Sequence, residues 1–131
     1  MVKKTGIIPK GIIKPFANYS HGMRVDGATS HLLISGQLGI SRDGVIPETV
    51  EQQAEYCFAN IEAILHDGGM DKQDVVKITT FVTKKKYLQP YMKIRDEWIN
   101  NLSLPPASTL YIVSGFAKPE FKIEIEALAI K

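Results

Sequence analysis

Residues 105–131 read PPASTLYIVSGFAKPEFKIEIEALAIK. Two apolar runs, Leu110–Val113 and Phe121–Ile130, flank a turn containing Gly115, Lys118 and Pro119. Alternation marks the second run as a strand. Ile123, Ile125, Ala127 and Ala129 fall on one face, and Lys122, Glu124, Glu126, Leu128 and Ile130 on the other. Two carboxylates thus share a face that turns apolar further along. Such a face does not suit solvent contact along its whole length, and it is expected to line a cleft between subunits.

Working outward, the segment from about Tyr87 to Asn100 has helical spacing, with Pro90 in the first turn, where a missing N–H costs little. Leu88, Tyr91, Ile94, Trp98 and Leu102 mark its expected buried stripe, and Trp98 reads as core rather than as a stacking platform. Asp74–Thr83 reads as a strand carrying Val75, Val76, Ile78, Phe81 and Val82. Before it, Thr49 and Gln52 make a capping-box pattern. Val50, Ala54, Cys57, Phe58, Ile61, Ile64 and Leu65 then repeat at helical spacing until Gly68-Gly69 stops the helix. On that stripe Cys57 reads as a small core residue rather than a nucleophile.

Nearer the start, Asn18–Val25 and His31–Gln37 flank an Asp26-Gly27 turn signal and look like an antiparallel pair. Met1–Ala17 holds Ile7-Ile8 and Ile12-Ile13, broken by Pro9, Gly11 and Pro15, and reads as an edge strand or an arm. The expected order is β-β-β-α-β-α-β-β within one α+β domain, 1–131. One sheet with two helices should carry both on the same face. The other face is then uncovered and partly apolar, which implies self-association or a ring of sheets facing inward.

Composition narrows the function classes. A chain of 131 residues suits one domain with a real core. Net charge is +2, too small to imply nucleic-acid binding, and the one basic run, Lys84–Lys86, reads as a solvated turn. Cys57 is the single cysteine, so no internal disulfide can form and a reducing compartment fits. No window approaches the length of a membrane span, and the two early lysines precede no long apolar run, so a cytoplasmic protein is expected.

Local motifs name no chemistry. His21, His31 and His66 are scattered and lack metal-ligand spacing, no Gly-rich phosphate loop leads into a helix, and no Gly-x-Ser-x-Gly elbow occurs. No cofactor is expected. Weaker features converge instead. Tyr19 and His21 share a face in an extended strand. Gly36, within Ser35-Gly36-Gln37, leaves room for a ligand to approach backbone, or only permits a bulge. Ser108 and Thr109 open a strand after two prolines. Glu124 is either a working carboxylate or a partner of Lys122 and water.

Taken together, Tyr19-Ser20-His21-Gly22, Ser35-Gly36-Gln37, Asp74-Val75-Val76-Lys77 with Phe81-Val82, Pro106-Ala107-Ser108 and Ile123-Glu124-Ile125-Glu126-Ala127 resemble the Rid family (reactive intermediate deaminases, YjgF-like, also labelled L-PSP endoribonuclease). The resemblance spans roughly residues 15–131. It implies a chorismate-mutase-like α+β fold with a single mixed sheet, and a homotrimeric barrel with three clefts between subunits. The activity implied is hydrolysis of an enamine or imine such as 2-aminoacrylate to a keto acid and ammonia. In the family an arginine after Pro-Ala clamps the substrate carboxylate, and the last strand's glutamate positions water. The tyrosine, the glycine of Ser-Gly-Gln and a residue of the second helix complete the pocket.

Carried over position by position, Tyr19, Gly36 and Glu124 match, Leu110 stands where a cysteine is often found, Tyr91 stands at the second-helix position, and Ser108 stands where the arginine would be. His21 replaces a common glutamine and would add positive charge when protonated. A guanidinium offers a bidentate fork and a serine one neutral donor, a difference of about 1.5–3 kcal/mol, or tenfold or more in binding. Two readings follow. One is a diverged deaminase acting on a small metabolite, with Glu124 activating water, Ser108, Thr109 and the Gly36 backbone holding polar atoms, and Tyr19 walling the cleft. The other is a non-catalytic trimer that binds a small ligand or a protein. A ribonuclease is disfavoured by the modest charge and the absence of a His/Lys catalytic cluster.

Overall fold

The structure is a computed structural model and describes residues 2–131. In chain order the elements are β1 (Lys3–Ile7), β2 (Gly22–Asp26), β3 (His31–Leu38), α1 (Val50–Asp67), β4 (Val75–Val82), α2 (Leu88–Trp98), β5 (Ala107–Ile112) and β6 (Ile123–Ile130). This is the expected β-β-β-α-β-α-β-β order. Single 3₁₀ turns at Lys72–Asp74 and Lys85–Tyr87 lead into β4 and α2.

Four strands form a mixed sheet in the order β3-β6-β4-β5. β6 runs antiparallel to both neighbours, while β4 and β5 are parallel. The alternation in β6 does what the sequence implies. Ile123, Ile125, Ala127 and Ala129 are buried, and they join Phe58, Ile61 and Leu65 of α1, Ile78 and Val82 of β4 and Tyr91 of α2 in one core. Glu124, Glu126, Leu128 and Ile130 take the opposite face. Both helices cover the first face, with α1 packed on β3, β6 and α2.

Two pairings differ from the sequence reading. β2 pairs with β1, not with β3, and β3 pairs with β6 over His31–Leu38. Gly27 does turn the chain, at φ +75°. The amides of Thr29 and Ser30 then donate to the Lys131 carbonyl, and the Lys131 amide donates to Ser30. These bonds carry β3 to the C-terminal strand instead of back along β2. The β1–β2 ribbon meets the larger sheet through an isolated bridge from Ser20 to Ala107 on the edge strand β5. The Ser20 side chain fastens it, donating to the Pro105 carbonyl at 2.7 Å. The expected single sheet is therefore a four-stranded sheet with a two-stranded ribbon attached.

In α1 the stripe falls where spacing puts it, and Thr49 Oγ1 accepts from the Gln52 amide at 3.2 Å. Gly69, at φ +74°, follows the helix. Along α2 and just past its end the deepest residues are Tyr91, Arg95 and the capping Ile99, while Leu88, Ile94, Trp98 and Leu102 are half-buried around them. The buried line is thus rotated slightly from the expected stripe. Trp98 belongs to the packing, stacked on Phe58 at 4.6 Å, with its indole N–H on Glu62 Oε1.

The second sheet face is open in the protomer. Leu33, 77% exposed, lies opposite Leu128, and Tyr111 stacks on Phe81 at 5.5 Å. A hollow of about 480 Å³ on this face is lined by His31, Leu33, Lys77, Thr79, Glu126 and Leu128, among others.

Candidate active site

The residues singled out from sequence fall into two groups in one chain. The first is Glu124 with Gly36. Glu124 pairs with Leu38 of β3 on one side and Phe81 of β4 on the other. The β3–β6 register slips between Ile34 and Gln37, where Ser35 and Gly36 form an irregularity. A Cβ at Gly36 would lie 2.6 Å from Glu124 Cδ. Glycine at 36 therefore lets the carboxylate lie against the β3 backbone, half-buried on the open face. Gly36 does sit at a bulge, and the bulge faces the carboxylate, while Lys122 Nζ donates to the Glu48 carbonyl rather than to Glu124.

Two buried residues of α1 support this group. Cys57 Sγ donates to the Gln37 carbonyl at 3.2 Å. Burial, reinforced by the charge of Glu124, pushes the Cys57 thiol up to about 12, so Cys57 is a packed thiol and not a nucleophile. Gln53 is a residue the sequence reading missed. Its Nε2 donates to the Pro47 and Glu120 carbonyls at 2.8 and 2.9 Å, and its Oε1 accepts from the Lys122 amide at 2.9 Å. That amide clamps the chain two residues before Glu124. Its spacing, three after Val50 and four before Cys57, placed it on the apolar stripe.

The second group gathers at the start of β5. The Tyr19 and His21 rings meet edge-on at 5.8 Å, Tyr19 OH accepts from the Phe16 amide, and His21 Nε2 lies 2.7 Å from the Ile13 carbonyl. Only a protonated ring nitrogen suits a carbonyl there. Tyr19 and His21 sit in the loop before β2 rather than in a strand, yet they remain together. The Ser20–Ala107 bridge brings them to Ser108.

Ser108 and Thr109 lie on opposite faces. Ser108 is in register with the buried Ile78, and Thr109 with Thr79 on the open face, where Lys77 Nζ donates to Thr109 Oγ1 at 2.6 Å. The expectation that both hydroxyls serve one pocket of the chain is corrected by the pleat. Tyr91 is corrected too. It is fully buried, shares a 2.7 Å hydrogen bond with Thr80 Oγ1 and faces no open cleft. Burial raises its phenol to about 12. Instead Arg95, one turn further along α2 and 1% exposed, reaches the Ser108 hydroxyl.

The two groups are apart in a single chain. Ser108 and Glu124 are registered three residues apart along β4 and on strands either side of it, about 14 Å by strand geometry. They also face opposite sides of the sheet. A hollow of about 640 Å³ beside Val45, Pro47, Gln52 and Tyr56 shares no residue with either group. Among the described residues no set of three or more His, Cys, Asp or Glu is placed to hold a metal ion, and no helix is long and apolar enough to cross a membrane.

Comparison with known proteins supplies the relation. The family described as Endoribonuclease L-PSP matches residues 10–131. A RutC family protein of Aquifex aeolicus is 30% identical over 118 residues, 89% of this chain and 91% of that protein. Among solved structures, the Rid-family protein YyfB of Yersinia pestis superposes with a TM-score of 0.85 at 24% identity, covering 98% of both chains, which speaks to the fold. TdcF of Escherichia coli, solved with bound serine, superposes with a TM-score of 0.73 at 26% identity over 92% of this chain and 91% of that one. The helix-backed mixed sheet fits that relation, and the chain belongs to the endoribonuclease L-PSP family, the Rid or YjgF-like proteins.

Proposed function

We propose that the chain is a cytoplasmic, homotrimeric enamine/imine deaminase of diverged specificity, hydrolysing a small metabolite in clefts between copies. TdcF, a relative 27% identical over 104 residues, is named as a proposed reactive intermediate deaminase. Its bound serine is a small amino acid, a ligand of the size such a cleft would take. The observation that carries the reading is the Glu124 carboxylate held over Gly36 on a face with no cover inside the chain.

In the reaction, water adds to the C=N carbon while Glu124 takes one of its protons. That proton passes to the imine nitrogen to give the carbinolamine; Glu124 then takes the hydroxyl proton and delivers it to the amino nitrogen, so the C–N bond breaks, ammonia leaves and the carbonyl forms. Ser108, with Tyr19 on the adjoining loop, would come from a neighbouring copy, because one chain keeps Ser108 on the far side of the sheet from Glu124. The test is release of ammonia and keto acid from imines generated in place. Glu124→Gln should lower the rate at least a hundredfold with the fold intact. Equal rates in wild type and variant would refute the reading.

A second reading, a binding trimer without turnover, is favoured by Ser108 in place of the arginine. It is recognised by ligand-induced thermal stabilisation with no product across the same imines.

A further inference from the structure

We infer that the tip of the β1–β2 ribbon is a docking surface for an anionic membrane, with Ile12, Ile13 and Phe16 entering the lipid and Lys10 and Lys14 meeting its phosphates. The inference goes beyond the proposed function and does not rest on it.

Ile7 pairs with Gly22, so residues 8–21 form the loop that closes the ribbon. Large apolar side chains belong inside a fold, yet this loop turns them out. Ile8, Ile12 and Ile13 are exposed, and Phe16 is 84% exposed. A Cβ added at Gly11 would meet no atom within 4 Å, so this part of the loop stands clear of the body. The display is fastened. His21 Nε2 bonds to the Ile13 carbonyl at 2.7 Å, the Phe16 amide donates to the Tyr19 hydroxyl at 3.3 Å, and Ser20 ties the base of the loop to the Pro105 carbonyl. Pro9 and Pro15 fix φ at two further positions. A tip ordered in advance loses little conformational freedom on docking.

Charge names the partner. Residues 1–25 hold Lys3, Lys4, Lys10, Lys14 and Arg24 and no Asp or Glu, which leaves 11 basic and 14 acidic residues for the rest of the chain. Arg24 is paired with Asp26, but among the described residues no lysine of this segment makes an ion pair. Lys10 and Lys14 are exposed and stand on either side of Ile12 and Ile13. A protein face laid over the tip would bury these ammonium groups with the isoleucines, a cost that no carboxylate of the segment offsets. A lipid surface accommodates both. The apolar side chains lie in the acyl boundary, while the lysine stems lie flat and carry their charge to the phosphate level. Anionic lipid then attracts each lysine in turn.

The test is co-sedimentation of the full chain with vesicles of phosphatidylcholine alone or mixed with phosphatidylglycerol. Wild type should bind the mixed vesicles about tenfold more tightly or better than the neutral ones, and added salt should shrink the difference. Lys10→Gln with Lys14→Gln should weaken binding to the mixed vesicles about tenfold or more. Ile13→Ser with Phe16→Ser should weaken it by a similar factor. All four side chains are exposed, so the thermal midpoint should not move. No binding of wild type to the mixed vesicles, or binding that either variant leaves unchanged, overturns the inference. So does a wild type that ignores vesicles while Ile13→Ser with Phe16→Ser dissociates its oligomer, because the tip is then a contact between copies. Imine turnover is assayed without lipid, and its presence or absence leaves this result unchanged.

Discussion

A methyl group added at Gly36 would meet the Glu124 side chain, the free end of a flexible residue, and not backbone. Gly36→Ala is therefore expected to swing the carboxylate away while costing less than about 1 kcal/mol of stability. Its imine turnover should fall toward that of Glu124→Gln with the thermal midpoint nearly unchanged, and a folded, fully active Gly36→Ala protein would contradict the placement. Cys57 gives a second residue-scale test. Its thiol is raised from 9.0 to about 12 by burial, so the folded state holds the proton that the unfolded chain releases. Stability is then fully present below pH 9 and falls as pH rises toward 12. Linkage puts the Cys57 part of the loss between pH 8 and 10.5 at about 2 kcal/mol. Urea unfolding at both pH values should show a smaller drop in Cys57→Ala than in wild type. Residue roles were legible where chemistry and alternation agreed, as at Glu124, Gly36 and Tyr19. Arg95 and Gln53 were hidden because their polarity argues against the buried stripes they occupy, and Tyr91 because its depth depends on how α2 is rotated.

Gly39 shows the opposite case at the level of elements. A Cβ there would lie 2.3 Å from Gln53 Cβ and 2.6 Å from its Cα, so the body of α1 would have to retreat from β3. Gly39→Ala is expected to cost about 1–3 kcal/mol, read as a lowered denaturation midpoint. It should also loosen the Gln53 clamp that sets the approach to β6. A midpoint equal to wild type would show that α1 is not seated as described. The helices and β6 were readable because their periodicity is local, in the Val50–Leu65 stripe and in Ile123–Ala129. Strand partners were not. The choice of β6 for β3 rests on contacts between His31 and Ile130 and on the tie from Ser30 to Lys131, far apart in sequence, while the Asp26-Gly27 turn points just as well to a hairpin. Strand β5 likewise could not be seen to lie beyond β4, because parallel pairing leaves no turn to mark it.

For the whole molecule the open sheet face decides. Leu33, Leu128, Phe81 and Tyr111 spread apolar surface across all four strands, with Glu124, Glu126, Lys77 and His31 set among them. Ser108 and Glu124 lie on opposite sides of that sheet, and a neighbouring copy is the simplest way to bring them together. Covering the face by self-association also removes the solvent cost of the exposed side chains. Sedimentation equilibrium of the purified chain measures this most directly. Three copies of 14.6 kDa, about 44 kDa, are expected as the stable species, and a persistent 14.6 kDa protomer at micromolar concentration would contradict a site shared between copies.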